Sequence, residues 1–487
     1  MTRYDRFLYG ASKYGPSTSD NLLWGLLVDW DDDGAFDGTN EAAWLKHVAI
    51  QRGRNNLVSP SGDGFDPIQP GTLTVTLNNI DRRYDPYNES SPLYPNVDTG
   101  RMIKLLVRVG ATVYDLFTGT IQNITPGKNT VQIEAEDGHR WLMDIPVTST
   151  VYRNTTADAA IGAILDQVKW PWARALQSGA DVLDYWWMRG RNANEEIRSI
   201  ADSEFGRAYV NASGALVFYN RFANRAPVAD VDQSQLLRDM YFPQPWEVRR
   251  NIVQVQSNPI SQLALDDVWT ASTEYAVDGN GTITIEVGFD SPAVNVLQPV
   301  ATTDYTAFSQ TGGEGDDLTA NITVSAVISA ETATLTISNS GASLAYLNLL
   351  KLRGNPLYTS AVKSQATGAG YDRRPRQLSL DLEWQQDINN PVSFASDMLT
   401  FLSNTREMPV VTLENQGAVQ FRVDLFDPIT LQIPARNLSD TFQVGSIQHE
   451  WLAETGQAVR TTWKLEPFKE YTYWRFPVTF NTTSILG

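Results

Sequence analysis

The chain contains no cysteine. That absence excludes disulfide staples, thiolate zinc sites and cysteine nucleophiles together. Histidine is nearly absent: His47, His139 and His449 lie far apart, and no His-Glu-x-x-His spacing sets two imidazoles on one helical face over zinc. No segment approaches the ~20 unbroken apolar residues of a membrane-spanning helix. The opening MTRYDRFLYGASKYGPSTSD carries charges and no apolar run, so it does not read as a secretory signal peptide. Basic residues are scarce. The 38 Lys and Arg against 56 Asp and Glu leave a net charge of −18, which argues against a nucleic-acid binder held by clustered phosphate contacts. There is also no Gly-x-Ser-x-Gly nucleophile elbow, no phosphate-cradling glycine loop and no repeat of solenoid length.

What is present is enough to bury real cores. The 487 residues correspond to three or four domains at ~150 residues each, and a composition 42% hydrophobic and 10% aromatic is that of a folded chain. In Thr72–Leu77, hydrophobes alternate with threonines, the period of a half-buried strand, and Met102–Val109, Val113–Phe117 and Thr130–Ala135 follow between turn residues. After Pro146 the period changes. Ile161, Ile164, Leu165 and Val168 fall on one helical face behind the candidate caps Thr155 and Thr156; a second helix spans about 193–205, and a hairpin turns at Asn211–Gly214. Thr-, Val- and Ile-rich strands then include Asn321–Ile328 and Thr332–Ser338. The last region is expected to open on strands at Tyr346–Arg353 and Arg376–Glu383. A helix starting at Asn390-Pro391 follows, then strands at Val410–Leu413, Phe421–Val423, Ile429–Ile433, Phe442–Glu450 and Thr461–Leu465. The fold class expected is mainly β and multidomain, with a smaller α+β module. Its division is a β-barrel at 1–145, the helical module at 146–250, an inserted β-sandwich at 251–345, a second barrel with a helix at 346–470 and a tail at 471–487.

The sharpest chemical pattern is Asp29-Trp-Asp31-Asp-Asp33-Gly34-Ala-Phe36-Asp37. Carboxylates at alternate positions before a glycine match the first half of a calcium loop, making Asp29, Asp31, Asp33 and Asp37 candidate ligands. The twelfth position holds Asn40 rather than the bidentate glutamate, which stands one later as Glu41. The other reading is an acidic turn whose side chains accept bonds from backbone amides. Trp170-Pro-Trp172 and Tyr185-Trp-Trp187 are expected in a core or a subunit contact before a sugar platform. Arg249-Arg250 and Arg373-Arg374-Pro-Arg376 are expected to meet acidic surfaces of a neighbouring subunit. His139 and His449 are expected as satisfied polar residues at strand ends. No nucleophile or acid–base pair stands out, so no enzymatic activity and no cofactor beyond that calcium ion is expected.

Gly71-Thr-Leu-Thr-Val-Thr-Leu-Asn-Asn-Ile-Asp-Arg-Arg-Tyr-Asp-Pro-Tyr-Asn88, with Ser91-Pro-Leu-Tyr94, Gly100-Arg101 and Leu116-Phe-Thr-Gly119, resembles the N-terminal domain of minor tail and tail-hub proteins of long-tailed bacteriophages and prophages. Asp81-Arg-Arg83 stands where that family usually has Asp-Gly-Arg. Asp29–Phe36 resembles the family's opening loop, 193–218 its helical module, and Tyr346–Gly354, Phe421–Ile433 and Val444–Trp451 its closing barrel. The resemblance implies a structural hub in the virion tail tip, a homotrimer with two barrels per subunit. It would join the tail tube or distal tail protein to the tip, meet the tape-measure protein and other tip or fibre proteins, and pass DNA transiently through its channel. The alternative from another class is a glycan-binding or glycan-cleaving virion protein.

Overall fold

The alternation over Gln69–Asn78 forms a strand, and Leu73, Val75 and Leu77 are completely buried on one of its faces. The computed structural model describes residues 22–36, 38–223, 225–236, 240–403, 407–452 and 458–467. Asp37, the N-terminal stretch weighed as a leader and the tail 471–487 lie outside the described residues. The sheet built on Gln69–Asn78 runs in the order Leu22–Val28, Met102–Val109, Thr112–Pro126, Thr130–Asp137, Gln69–Asn78, Leu45–Gly53, Leu438–Leu452, Pro428–Ile433 and Ala229–Asp232. Every neighbour is antiparallel except the last pair. The first and last regions of the chain therefore belong to one sheet.

Leu438–Leu452 joins them. Its C-terminal half pairs with Leu45–Gly53, its N-terminal half with Pro428–Ile433, and Val459–Pro467 runs along most of its length. Trp451 packs into the first core with Val48, Leu105 and Phe117, whereas Phe442, Val444 and Ile447 pack into the last with Leu431 and Trp463. Gly53 marks the closest approach. At a φ of +109°, a Cβ there would lie 2.3 Å from the Gly445 carbonyl oxygen, so no other residue fits without moving a strand.

Between these regions lies the helical module. Helices α1 (Gly138–Met143), α2 (Ala157–Gln167) and α3 (Ala193–Ser203) surround a core containing Ile161, Ile164, Trp186, Trp187 and Ile197. Asn192 caps α3 by accepting from the Glu195 amide at 2.9 Å. Thr156 occupies the cap position of α2, but its hydroxyl makes no bond to the helix amides. The hairpin Arg207–Val210 and Leu216–Tyr219 turns where expected, with the Asn211 side chain accepting from the Ser213 and Ala215 amides. Further on, Ile252–Ser257, Val362–Thr367 and Gln377–Leu382 form a sheet crossed by α4 (Asn390–Ser403), which buries Phe394, Met398 and Leu402.

Three expectations are corrected. Phe421–Val423 is not a strand: Ala418–Arg422 is a one-turn helix, α5. Phe421 packs in the first core, and buried Gln420 donates to the Val459 carbonyl and the Thr461 hydroxyl at 2.8 and 2.7 Å. Three residues carry too little period to separate strand from helical turn. Tyr346–Arg353 does not open the last region. It lies within Ala345–Thr359, which pairs with Ile260–Gln262, Asp266–Thr270, Tyr275–Val277, Ala293–Val294 and Tyr305–Phe308, and so is the central strand of the inserted unit. A second sheet, Thr282–Gly288, Thr332–Asn339 and Ile322–Ile328, shares one core with it. The histidines are not at strand ends either: His139 is in the first turn of α1 and His449 inside Leu438–Leu452.

Buried charges lock the joint between first and last regions. Arg54 makes two bonds to Glu466, at 2.9 and 2.7 Å, and Gln443 donates to the same carboxylate at 2.8 Å. Burial alone would raise the Glu466 carboxyl, but Arg54 outweighs it and holds the group below its ordinary range. Arg52 bonds Asp424 at 2.7 Å and the Val210 carbonyl at 2.9 Å, tying the hairpin to the same joint. His449 is buried nearby with Nδ1 2.7 Å from the Thr461 hydroxyl.

Two outcomes follow. Arg54→Met leaves Glu466 buried without its cation and is expected to cost about 3–5 kcal/mol in urea unfolding, while Arg54→Met with Glu466→Met recovers most of the loss. The His449 imidazole is pushed down to about 3, first by burial and then by the Arg52 charge. The unfolded chain thus takes up this proton below its ordinary value of 6.5 and the folded chain does not. Stability falls as pH drops through that window, by about 2–3 kcal/mol at pH 4.5 from this group. Urea midpoints from pH 7 to 4.5 check this, and His449→Gln is expected to flatten the slope.

Candidate functional site

The acidic loop begins where Leu22–Val28 ends. The Asp29 amide donates to the Met102 carbonyl at 3.0 Å, and its side chain is buried beneath the turn. One Asp29 oxygen accepts from the Asp33 amide at 3.2 Å and the other from the Gly34 amide at 2.9 Å, while Asp33 accepts from the Ala35 amide at 2.8 Å. Asp32, at a φ of +61°, turns its carboxylate outward to Arg101 at 2.8 Å. The structure brings Asp29, Asp31 and Asp33 together, each offering an oxygen within 4.8 Å of the others. Burial holds the Asp29 carboxyl above its ordinary range against the lowering by two amides, and the neighbouring Asp31 and Asp33 add to the rise. Such hard oxygen donors suit a divalent ion. The bonds from Asp29 to the turn are also those of a side chain shaping its own loop.

Glu41, one residue past the expected ligand position, has another role. It is completely buried and accepts from Arg83 at 2.9 and 3.1 Å, from the Tyr84 hydroxyl at 2.6 Å and from the Trp30 indole at 3.4 Å. Arg83 also lies over the Trp44 ring at 4.4 Å. Burial first and Glu41 next raise the Tyr84 phenol, so it stays a hydrogen-bond donor. Asp81-Arg-Arg-Tyr84 is thus the segment that neutralises Glu41 and fastens the acidic loop to the first core. Arg82 has a φ of +56°, the left-handed region that glycine enters at least cost, at the very place where the resembling family has glycine. It points outward to Asp85. Sequence reasoning missed Glu41 as an anchor; the signal was an acid beside a hydrophobic run with no exposed pattern around it.

The aromatic clusters are core. Trp170, Trp186 and Trp187 are buried in the helical module, and Trp187 meets Trp384 edge-on at 5.0 Å. These rings make no sugar platform. Within the chain, Arg249, Arg250 and Arg376 donate to the carbonyls of Ser403, Ser59 and Arg249 at 3.0, 2.8 and 3.2 Å. Their carbonyl partners belong to other segments of the same chain, which local charge counting does not reveal.

No family model matches the sequence, and no curated protein matches it. Solved structures do. A tail protein from Neisseria meningitidis MC58 superposes with a TM-score of 0.50 at 10% identity, over 91% of this chain and 96% of that one. The 43 kDa tail protein of prophage MuSo2 from Shewanella oneidensis gives 0.51 at 9% identity, over 91% of this chain and all of the other. At such low identity the likeness is one of architecture, extending over about nine-tenths of the chain. The chain has the multidomain, mainly β fold of phage tail proteins.

Proposed function

We propose that this chain is a structural subunit of a phage tail tip, a hub that assembles as a homotrimeric ring and transforms no substrate. The observation that supports it is the fold shared with two tail proteins across nearly the whole of all three chains. In this reading the ring joins the tail tube or distal tail protein to the tip, meets the end of the tape-measure protein, and surrounds the channel by which DNA leaves. Physical features suit that work. A strand common to two cores and buried ion pairs between modules resist hinging. The net charge of −18 would let DNA pass a channel wall without adhering. Closed symmetry repeats one head-to-tail interface around the ring, so one pair of mutually complementary patches on each subunit suffices.

The oligomer is the direct test. Light scattering on the purified chain is expected to give three times the 54.2 kDa chain mass at high protein concentration. A monomer at every concentration, also when mixed with the tail proteins flanking it, contradicts the ring.

The acidic loop is taken here as a structural calcium site of that subunit, with Asp29, Asp31 and Asp33 supplying oxygens. A ligand bound only by the folded state stabilises it by mass action. Millimolar calcium is therefore expected to raise the melting temperature over that in chelator, and Asp31→Asn to remove the difference. Equal melting temperatures with calcium and chelator would leave Asp29 as a turn cap alone.

A further inference from the structure

Trp246 is 48% exposed, and two guanidinium groups lie over its ring, Arg249 at 5.2 Å and Arg376 at 5.1 Å. Beside it stands the loop that carries exposed Tyr371, Arg373 and Arg374. Asn251 fixes that loop in place: its side chain donates to the Arg374 carbonyl at 2.9 Å and accepts from the Arg376 amide at 2.7 Å. Segments 243–251 and 368–377 hold five arginines. The acids among and beside them are three, Glu247, Asp372 and Asp63, so the patch is net cationic in a chain of charge −18. Arg250 is held below its ordinary value by burial and then by the like charge of Arg376. Tryptophan, tyrosine and arginine on one ordered surface are the residue types that anchor protein contacts.

The opposite sign gathers elsewhere. The 100 residues 251–350 contain no Lys, Arg or His, yet hold 11 of the chain's 56 acids. Glu274, Asp278, Glu314, Asp316 and Asp317 are exposed at one end of the inserted unit, where Tyr275–Val277 and Tyr305–Phe308 pair with the start of Ala345–Thr359. The Gly312 amide donates to Glu274 at 2.7 Å, which holds two of these acidic loops together. The unit joins the helical module at its other end, where Ile260, Val294 and Leu357 enter that module's core. From Ala345 to Leu357 the strand spans up to about 40 Å.

Topology keeps the two surfaces of one chain apart. Ile252–Ser257 pairs with Gln377–Leu382 in parallel, and Arg249, Arg250 and Arg376 immediately precede the first residues of these strands. The inserted unit leaves from the far end, after Ser257, and its acidic end lies a strand's length further on. Charges placed so are matched between copies, with each copy giving one surface and receiving the other.

We propose that the Trp246 arginine patch is the docking surface for a second copy of this chain, which enters with the acidic end of its inserted unit. The inference rests on the ring proposed above and names its head-to-tail contact.

Charge reversal tests it, with circular dichroism confirming that each variant is folded. Arg373→Glu with Arg374→Glu is expected to weaken trimer formation about tenfold or more in light scattering, and Asp316→Lys with Asp317→Lys equally. All four changes in one chain are expected to recover most of the loss. Because the chain has no cysteine, oxidising the variant Arg374→Cys, Asp316→Cys is expected to link chains to one another. Trimers undiminished by both reversals, or disulfides closed only within a chain, would overturn this contact and leave the ring standing. An unaltered chain that stays monomeric, also with its flanking tail proteins, would overturn the ring and this contact with it.

Discussion

The structure depends on one strand serving two cores. Leu438–Leu452 presents Trp451 to one core and Phe442, Val444 and Ile447 to the other. A slip of one residue would turn its buried side chains to the opposite face in both at once, so its register is doubly constrained. Gly53 against Gly445 sets the spacing, and the Arg54–Glu466 and Arg52–Asp424 pairs penalise any displacement that would strand a buried charge. The modules between are held to the same frame: the Ala212 amide donates to Asp424 at 2.9 Å and the Thr118 hydroxyl to the Ala212 carbonyl at 3.2 Å.

A second buried charge organises the first core. Glu41 draws Arg83, Tyr84 and Trp30 onto one carboxylate, and with them the loops at both ends of the segment. The Asp-Arg-Arg-Tyr stretch that carries the tail-protein resemblance thus has a physical reason for its composition. Arg83 and Tyr84 donate to that buried carboxylate from adjacent positions, and the chain turns through a left-handed residue at 82 just before them. The acidic loop sits on this support.

Much of this was legible locally. The alternation of Leu73, Val75 and Leu77 and the helical stripe of Ile161, Ile164 and Leu165 report burial directly, because strand and helix periods differ. Partners were not legible. Nothing in Tyr346–Arg353 says which strands it will pair with, and its neighbours in sequence suggested the wrong ones. Arg54 and Glu466 lie 412 residues apart, Arg52 and Asp424 372. A charge pattern shows that a cation must be compensated, not by which distant acid or carbonyl. The acidic loop shows the same limit: the spacing of its aspartates was readable, but not that Asp29 would be buried with both oxygens bonded to the turn. The resemblance to tail proteins succeeded at fold level because it drew on several separated segments, and the solved tail proteins share that architecture at about a tenth identity.

Two cores on one strand make a stiff block, which suits the ring subunit proposed above. A reconstruction of the assembled particle tests this most directly. The expected result is three copies around the tail axis at the tip, each superposing on the free chain as one body from Leu22 to Pro467. Two cores that hinge about Leu438–Leu452 on assembly, or a particle whose tail tip lacks the chain, would contradict it.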